Sequence, residues 1–251
     1  MTSGSRLRAL VEARRGVLLP GAANALAARI IEDLGFEVAY ITGAGVTNTW
    51  FGMPDLGFIG LSEVAAHTAA IRDAVEIPLI VDADTGFGNA LNVRHTVRTL
   101  ERAGANAIQL EDQAMPKRCG HFSGKAIIEA PEMINKIKAA VDARHDDNFL
   151  IMARTDSRAV LGFDAAVDRS NAYREAGADI IFLEAPESVD ELRRLPQVIA
   201  APQIVNLVVG GKTPILPTAE FTEMGFALIL YANVALQGAI AGMTAALGSL
   251  K

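Results

Sequence analysis

Apolar residues along this chain follow two alternating periods. Short runs dense in Val, Ile and Leu recur at 17–20, 38–42, 79–81, 107–110, 149–153, 180–183, 204–206 and 227–231. Runs of that length and continuity predict strands buried on both faces. Between them lie longer stretches with helical spacing, at 22–34, 62–75, 93–103, 131–143, 165–176, 190–199, 218–224 and 234–247. Gly35, Gly104, Gly177 and Gly225 stand where these helices should end, and Ser62 is the expected N-cap of the second. Eight strand–helix units without a linker predict an α/β fold, a (β/α)8 TIM barrel formed as one domain over residues 1–251. An open doubly wound sheet is the competitor, but no GxGxxG turn follows the first strand, and Gly86-Phe87-Gly88 is too short a match.

Polar residues gather at the C-terminal ends of the predicted strands. Tyr40, Thr42 and Gly43 end the second, Asp82 and Asp84 the third, Glu111 and Asp112 the fourth, Arg154 and Asp156 the fifth, Glu184 the sixth and Asn206 the seventh. In a barrel these positions converge on one mouth. Carboxylates brought together there repel unless a cation sits between them, and Mg²⁺, with Mn²⁺ as a substitute, prefers such oxygen ligands. Asp55, in Gly52-Met53-Pro54-Asp55, is a candidate outer partner. Arg154 suits a bidentate grip on a carboxylate or phosphonate, or else a structural ion pair with Glu111 or Glu184. Thr42-Gly43-Ala44-Gly45 offers backbone N–H groups to a carboxylate or oxyanion.

A net charge of −6, with acids and bases interspersed, leaves no basic stripe for nucleic acid and no polybasic segment for a membrane surface. No apolar run approaches the ~18–20 uncharged residues of a membrane span, and residues 1–15 lack the apolar core of a secretory signal. A cytoplasmic protein acting on small molecules is the expectation. One cysteine excludes an internal disulfide. Cys119 lies in Lys117-Arg118-Cys119-Gly120-His121, a stretch with Pro116 and Gly124 that reads as a loop. Flanking cations favour the thiolate, so this thiol could exchange a proton near neutral pH; the alternative is an inert buried thiol. His121 could orient the thiol or bind a carboxylate. His67, His95 and His145 read as surface residues, and Trp50 and Phe51 as part of a loop or subunit contact. A covalent role for Cys119 lacks an accompanying Cys-His-Asn pattern.

With these residues in place, the chain resembles the isocitrate lyase/phosphoenolpyruvate mutase superfamily, in its methylisocitrate lyase-like and dimethylmalate lyase-like branch. The likeness runs over about 17–231 and rests on Lys117-Arg118-Cys119-Gly120-His121 and Val81-Asp82-Ala83-Asp84-Thr85-Gly86-Phe87-Gly88. Glu111-Asp112-Gln113, Met152-Ala153-Arg154-Thr155-Asp156, Leu183-Glu184-Ala185 and Met53-Pro54-Asp55 agree in order and spacing. The resemblance implies a Mg²⁺-dependent carbon–carbon lyase that cleaves a substituted malate or methylisocitrate-like acid to pyruvate or glyoxylate plus a carboxylic acid. It implies that Asp82 holds the metal, with Asp55, Asp84 and Glu111 acting mostly through water. Tyr40, Thr42, Gly43, Ala44 and Arg154 would hold the oxo-acid half. Cys119, on the loop with Lys117 and Gly120, would protonate the departing half, and His121, Glu184 and Asn206 would contact its carboxylate or support the loop. Other activities of the superfamily, phosphonomutase and oxaloacetate hydrolase or decarboxylase, are the alternatives, and a non-catalytic carboxylate-binding barrel is a third.

Three departures from the relatives' pattern stand out. Val209 occupies a place where relatives often carry glutamate, which predicts a more apolar far end of the pocket. Ala232 and Ala44 replace a frequent proline and a frequent glycine. The chain stops at Lys251, after the eighth helix, where relatives often add more. The resemblance implies a homotetramer with helices exchanged between subunits, and the apolar helix ending at Leu247 is the element that would be exchanged.

Overall fold

The structure, a computed structural model, describes residues 2–117, 120 and 124–251. The expected strands form as β1 (Val17–Ala22), β2 (Ala39–Ile41), β3 (Leu79–Asp82), β4 (Ala107–Glu111), β5 (Leu150–Thr155), β6 (Ile180–Leu183), β7 (Ile204–Asn206) and β8 (Leu228–Tyr231). All pair in parallel, in the order β6-β5-β4-β3-β2-β1-β8-β7. A lone parallel bridge between Ile181 and Gln203 draws the two ends together, so the sheet is a nearly closed (β/α)8 barrel. Each strand buries both faces. Leu19, Ile80, Leu150, Met152, Ile180 and Leu228 fill the interior, whereas Ile41, Val81, Ile108, Ile151 and Ile229 pack outward against the helices. That two-sided burial is why the strands read as unbroken apolar runs.

Eleven helices are described. Those expected from periodicity appear as α2 (Ala25–Asp33), α4 (Leu61–Ala74), α5 (Ala90–Arg102), α6 (Ala130–Ala143), α8 (Phe163–Glu175), α9 (Val189–Val198), α10 (Thr218–Met224) and α11 (Val234–Gly248); α7 (Arg158–Leu161) is a single added turn. Ser62 does not cap α4. The cap is Gly60, whose N–H donates to the Glu63 carboxylate at 2.9 Å, so Ser62 lies inside the helix. α5 starts three residues before the predicted 93, because Asn89 accepts from the N–H of Leu91 at 2.9 Å.

Besides α7, two helices escaped the sequence reading. α1 (Ser3–Glu12) buries Leu7 and Val11 in the barrel interior, while Arg8 bonds Asp179 at 3.3 Å. It therefore plugs the end opposite the strand C-termini. α3 (Gly43–Phe51) begins at the stretch read as a glycine turn. Its two glycines and two threonines are poor helix formers, but the Thr42 hydroxyl caps it by accepting the Gly45 N–H at 3.2 Å. Trp50 and Phe51 end this helix instead of lying in a loop, their rings stacked at 5.1 Å.

Candidate active site

β3 ends on Asp82, whose Oδ1 accepts the Asp84 N–H at 3.2 Å and the Gln109 amide N–H at 3.1 Å. Its Oδ2 accepts the Gly43 N–H at the start of α3, at 3.3 Å. Asp84 follows with φ 48°, in the left-handed region that a non-glycine residue rarely enters. That excursion ends the strand at Asp82 and turns the Asp84 carboxyl toward Lys117. Lys117 sits between loops: its Nζ lies 2.6 Å from Asp55 Oδ1 and 2.6 Å from Asp84 Oδ1. Burial pushes the Asp84 carboxyl up to about 7, with the Lys117 charge pulling the other way. For Lys117, burial opposes the charge, but Asp84, Glu111, Asp82 and Asp55 outweigh it and hold the ammonium firmly protonated. Burial also raises Glu111, against the nearby Arg154 charge.

Arg154 lies within β5, where it is held in ion pairs. It forms a two-bond pair with Asp156, Nε to Oδ2 at 2.9 Å and Nη2 to Oδ1 at 3.2 Å. Glu111 and Glu184 each stand 3.5 Å away, and its guanidinium carbon is 5.2 Å from the centre of the Phe182 ring. Lys125, its side chain almost wholly out of water, pairs with Asp156 Oδ1 at 2.6 Å and also donates to the Gly120 carbonyl. Gly120 packs so closely on this group that a Cβ there would collide with Arg154 Nη2 and Glu184.

These residues surround a cavity of about 60 Å³. Of the sequence candidates, Tyr40, Thr42, Ala44, Asp55, Asp82, Glu111, Lys117, Gly120, Arg154 and Asn206 line it directly. Gly43, Asp84 and Glu184 stand behind the wall, joined to it through Asp82, Lys117 and Asn206, whose Nδ2 donates to Glu184 Oε1 at 3.4 Å. Cys119 and His121 lie outside the described residues. Asp112, grouped with the mouth by sequence, is turned away from it. It accepts from Thr155 Oγ1 at 2.7 Å, Tyr173 at 2.8 Å and the Asp156 N–H at 2.9 Å, tying β4 to β5 and α8. Val209 is exposed, and Val208 lines the cavity in its place, with Phe182, Leu230 and Ala232 completing an apolar flank.

Sequence reasoning missed Gln109, Lys125 and Asn233. A lone glutamine inside the apolar run at 107–110 was the available signal for the first; nothing local distinguished Lys125 or Asn233.

The donor set fits a small, hard dication. Six carboxyl groups (Asp55, Asp82, Asp84, Glu111, Asp156 and Glu184) face three cations (Lys117, Lys125 and Arg154) among the described residues. Glu111 Oε1 is buried without a hydrogen-bond partner among them. No three His, Cys, Asp or Glu side chains among the described residues are grouped so as to hold an ion unaided.

The family profile described as phosphoenolpyruvate phosphomutase matches residues 7–251. The chain belongs to this family. Within it, the chain is 51% identical to 2-methylisocitrate lyase of Aeropyrum pernix, over 91% of its own length and 73% of that protein's. It is 45% identical to 2,3-dimethylmalate lyase of Eubacterium barkeri, over 97% and 84%. Among solved structures, phosphonopyruvate hydrolase in complex with oxalate and Mg²⁺ superposes with a TM-score of 0.89 at 32% identity, covering all of this chain and 87% of that one. Family members named as lyases and as a phosphonate hydrolase thus share the barrel whose mouth is built here.

Proposed function

We propose that this protein is a Mg²⁺-dependent carbon–carbon lyase that splits a substituted malate or a methylisocitrate-like acid into pyruvate or glyoxylate and a carboxylic acid. The observation that carries the reading is a juxtaposition. Lys117 and Gly120, which bracket Cys119 in the motif, line the same cavity as Asp82, Arg154 and Tyr40, in a chain about half identical to a named lyase. Asp82 would hold the ion, with Asp55, Asp84 and Glu111 acting through water. Bound there, Mg²⁺ supplies positive charge to the carboxylate and the 2-oxygen of the oxo-acid half.

The protein groups divide the remaining work. Thr42, Gly43 and Ala44 at the positive end of α3, together with Arg154, hold the oxo-acid carboxylate. Tyr40 faces the 2-oxygen. Lys117 keeps Asp55 and Asp84 together beneath the motif. As the 2-hydroxyl gives its proton to water in the cavity and becomes a carbonyl, the electron pair of the C2–C3 bond passes to C3 of the departing acid, and the Cys119 thiol delivers a proton to that carbon, becoming a thiolate. His121, Glu184 and Asn206 would face the departing carboxylate. In this reading the barrel is one domain, works in the cytoplasm, and assembles as a homotetramer in which α11 is exchanged. No described helix is long and apolar enough to cross a membrane.

The test is a lactate dehydrogenase-coupled assay with Mg²⁺ over methylisocitrate, isocitrate, 2,3-dimethylmalate, other alkylmalates and oxaloacetate, with an EDTA control and direct detection of glyoxylate. EDTA-sensitive oxo-acid release from a malate-type acid is the expected result. Pyruvate from oxaloacetate alone, above its spontaneous decay, would favour the decarboxylase, oxalate from oxaloacetate would favour the hydrolase, and silence across the panel would move the search to phosphonates.

A further inference from the structure

Gln109 is wholly buried in β4 and stands between Tyr40 and Asp82. The direction of each hydrogen bond in this row is fixed from one end. Asp82 Oδ1 already accepts the Asp84 backbone N–H, which can only donate, so the Gln109 atom 3.1 Å from it is the amide nitrogen, also donating. The other end of the same amide is then its carbonyl oxygen, which can only accept. The Tyr40 hydroxyl, 2.6 Å from that oxygen, must therefore donate to it. A phenol has one proton, and Tyr40 spends it on Gln109. What Tyr40 turns to the cavity is oxygen lone pairs.

We infer that Gln109 is a positioning residue, which sets Tyr40 as a hydrogen-bond acceptor so that the mouth favours a 2-hydroxy acid over the corresponding 2-oxo acid. A hydroxyl can donate to Tyr40, whereas a carbonyl oxygen meets lone pairs with lone pairs. The inference deepens the lyase reading and rests on it: the hydroxy acid would be the substrate and the oxo acid the product to be released.

The test is calorimetric titration of the Mg²⁺-loaded protein with lactate and with pyruvate, a pair differing only at the 2-oxygen. Four proteins are compared: the parent, Gln109→Met, Tyr40→Phe and the double variant. Methionine keeps the volume and removes the acceptor, freeing the Tyr40 proton to turn into the cavity. The expected result is a shift of the lactate-to-pyruvate affinity ratio toward pyruvate by about tenfold, the size of one hydrogen bond. The same substitution made on Tyr40→Phe should shift nothing. An unchanged ratio in Gln109→Met, or an equal shift in both backgrounds, would overturn the inference. Tyr40→Phe supplies a second arm that does not require Gln109→Met to fold: it should weaken lactate more than pyruvate, and the reverse order would overturn the assignment of Tyr40 as acceptor. A parent that binds neither acid would instead remove the lyase reading, and this inference with it.

Discussion

Arg154 faces Asp156, Glu111 and Glu184 at once, and a guanidinium so surrounded has little left for a substrate. Lys125 relieves this by taking a share of Asp156. Burial pushes the Asp156 carboxyl up, and Arg154 and Lys125 together more than reverse that shift. Replacing Lys125 with Met should therefore weaken oxalate binding in Mg²⁺ by about tenfold, with Lys125→Arg restoring most of it, as read by calorimetry. Lys136 makes the opposite point about buried charge. Its Nζ donates to the Thr85 carbonyl at 3.2 Å, and burial lowers its pKa. Between its folded value and the ordinary lysine value the unfolded chain binds more protons, so the stability tied to this group rises with pH. The melting temperature of Lys136→Met relative to the parent should fall as the pH rises toward the ordinary lysine value of about 10, and a constant gap would contradict burial as the cause. Most of the cavity acids were legible because each ends an apolar run. Lys125 was not, since only the closing of a loop onto β5 brings it to Asp156.

Elements hold the mouth in shape from behind. Asp112 gathers hydrogen bonds from β5 and α8 and lies 3.3 Å from the Arg169 guanidinium. Asp112→Ala takes a shared acceptor from the partly buried Arg169, from two hydroxyls and from the Asp156 N–H, so urea melts should show a loss of about 3 kcal/mol. Oxalate affinity of the folded fraction should stay near the parent value, because Asp112 does not line the cavity. Sequence could not separate Asp112 from its neighbour Glu111: both end one strand, and their divergence depends on which neighbour each side of β4 meets. α3 was illegible for another reason. Its helix comes from the Thr42 cap and from Thr47 and Thr49 folding back on Gly43 and Gly45 carbonyls, each at 2.9 Å, against weak intrinsic propensity.

At the scale of the molecule, α11 is out of balance. It is apolar but for Gln237 and Thr244 yet buries no residue in this chain, leaving Ile240, Met243 and Leu247 at least half exposed. Water does not favour such a helix standing free, and association would cover it. Light scattering should find the parent as an assembly and Met243→Glu/Leu247→Glu as a smaller species; a monomeric parent would contradict the exchanged-helix tetramer. β1 adds a constraint of its own, since a Cβ on Gly21 would strike the Ala232 backbone that leads into α11.

The eight-fold alternation of apolar runs and amphipathic stretches was settled locally, because strand and helix periods repeat within a few residues and the hydrophobic effect acts on them wherever they fold. The placing of acids at strand ends followed from the same pattern. Tertiary structure alone decided the rest: that Asp84 leaves the pleat, that Asp112 turns outward, that Gln109 joins Tyr40 to Asp82, and that Lys117 and Lys125 reach back from the loop. Each depends on register between strands and on loops crossing the mouth, which bring together residues as far apart as Asp55 and Lys117, and no local period encodes which of two opposite faces such a partner will meet.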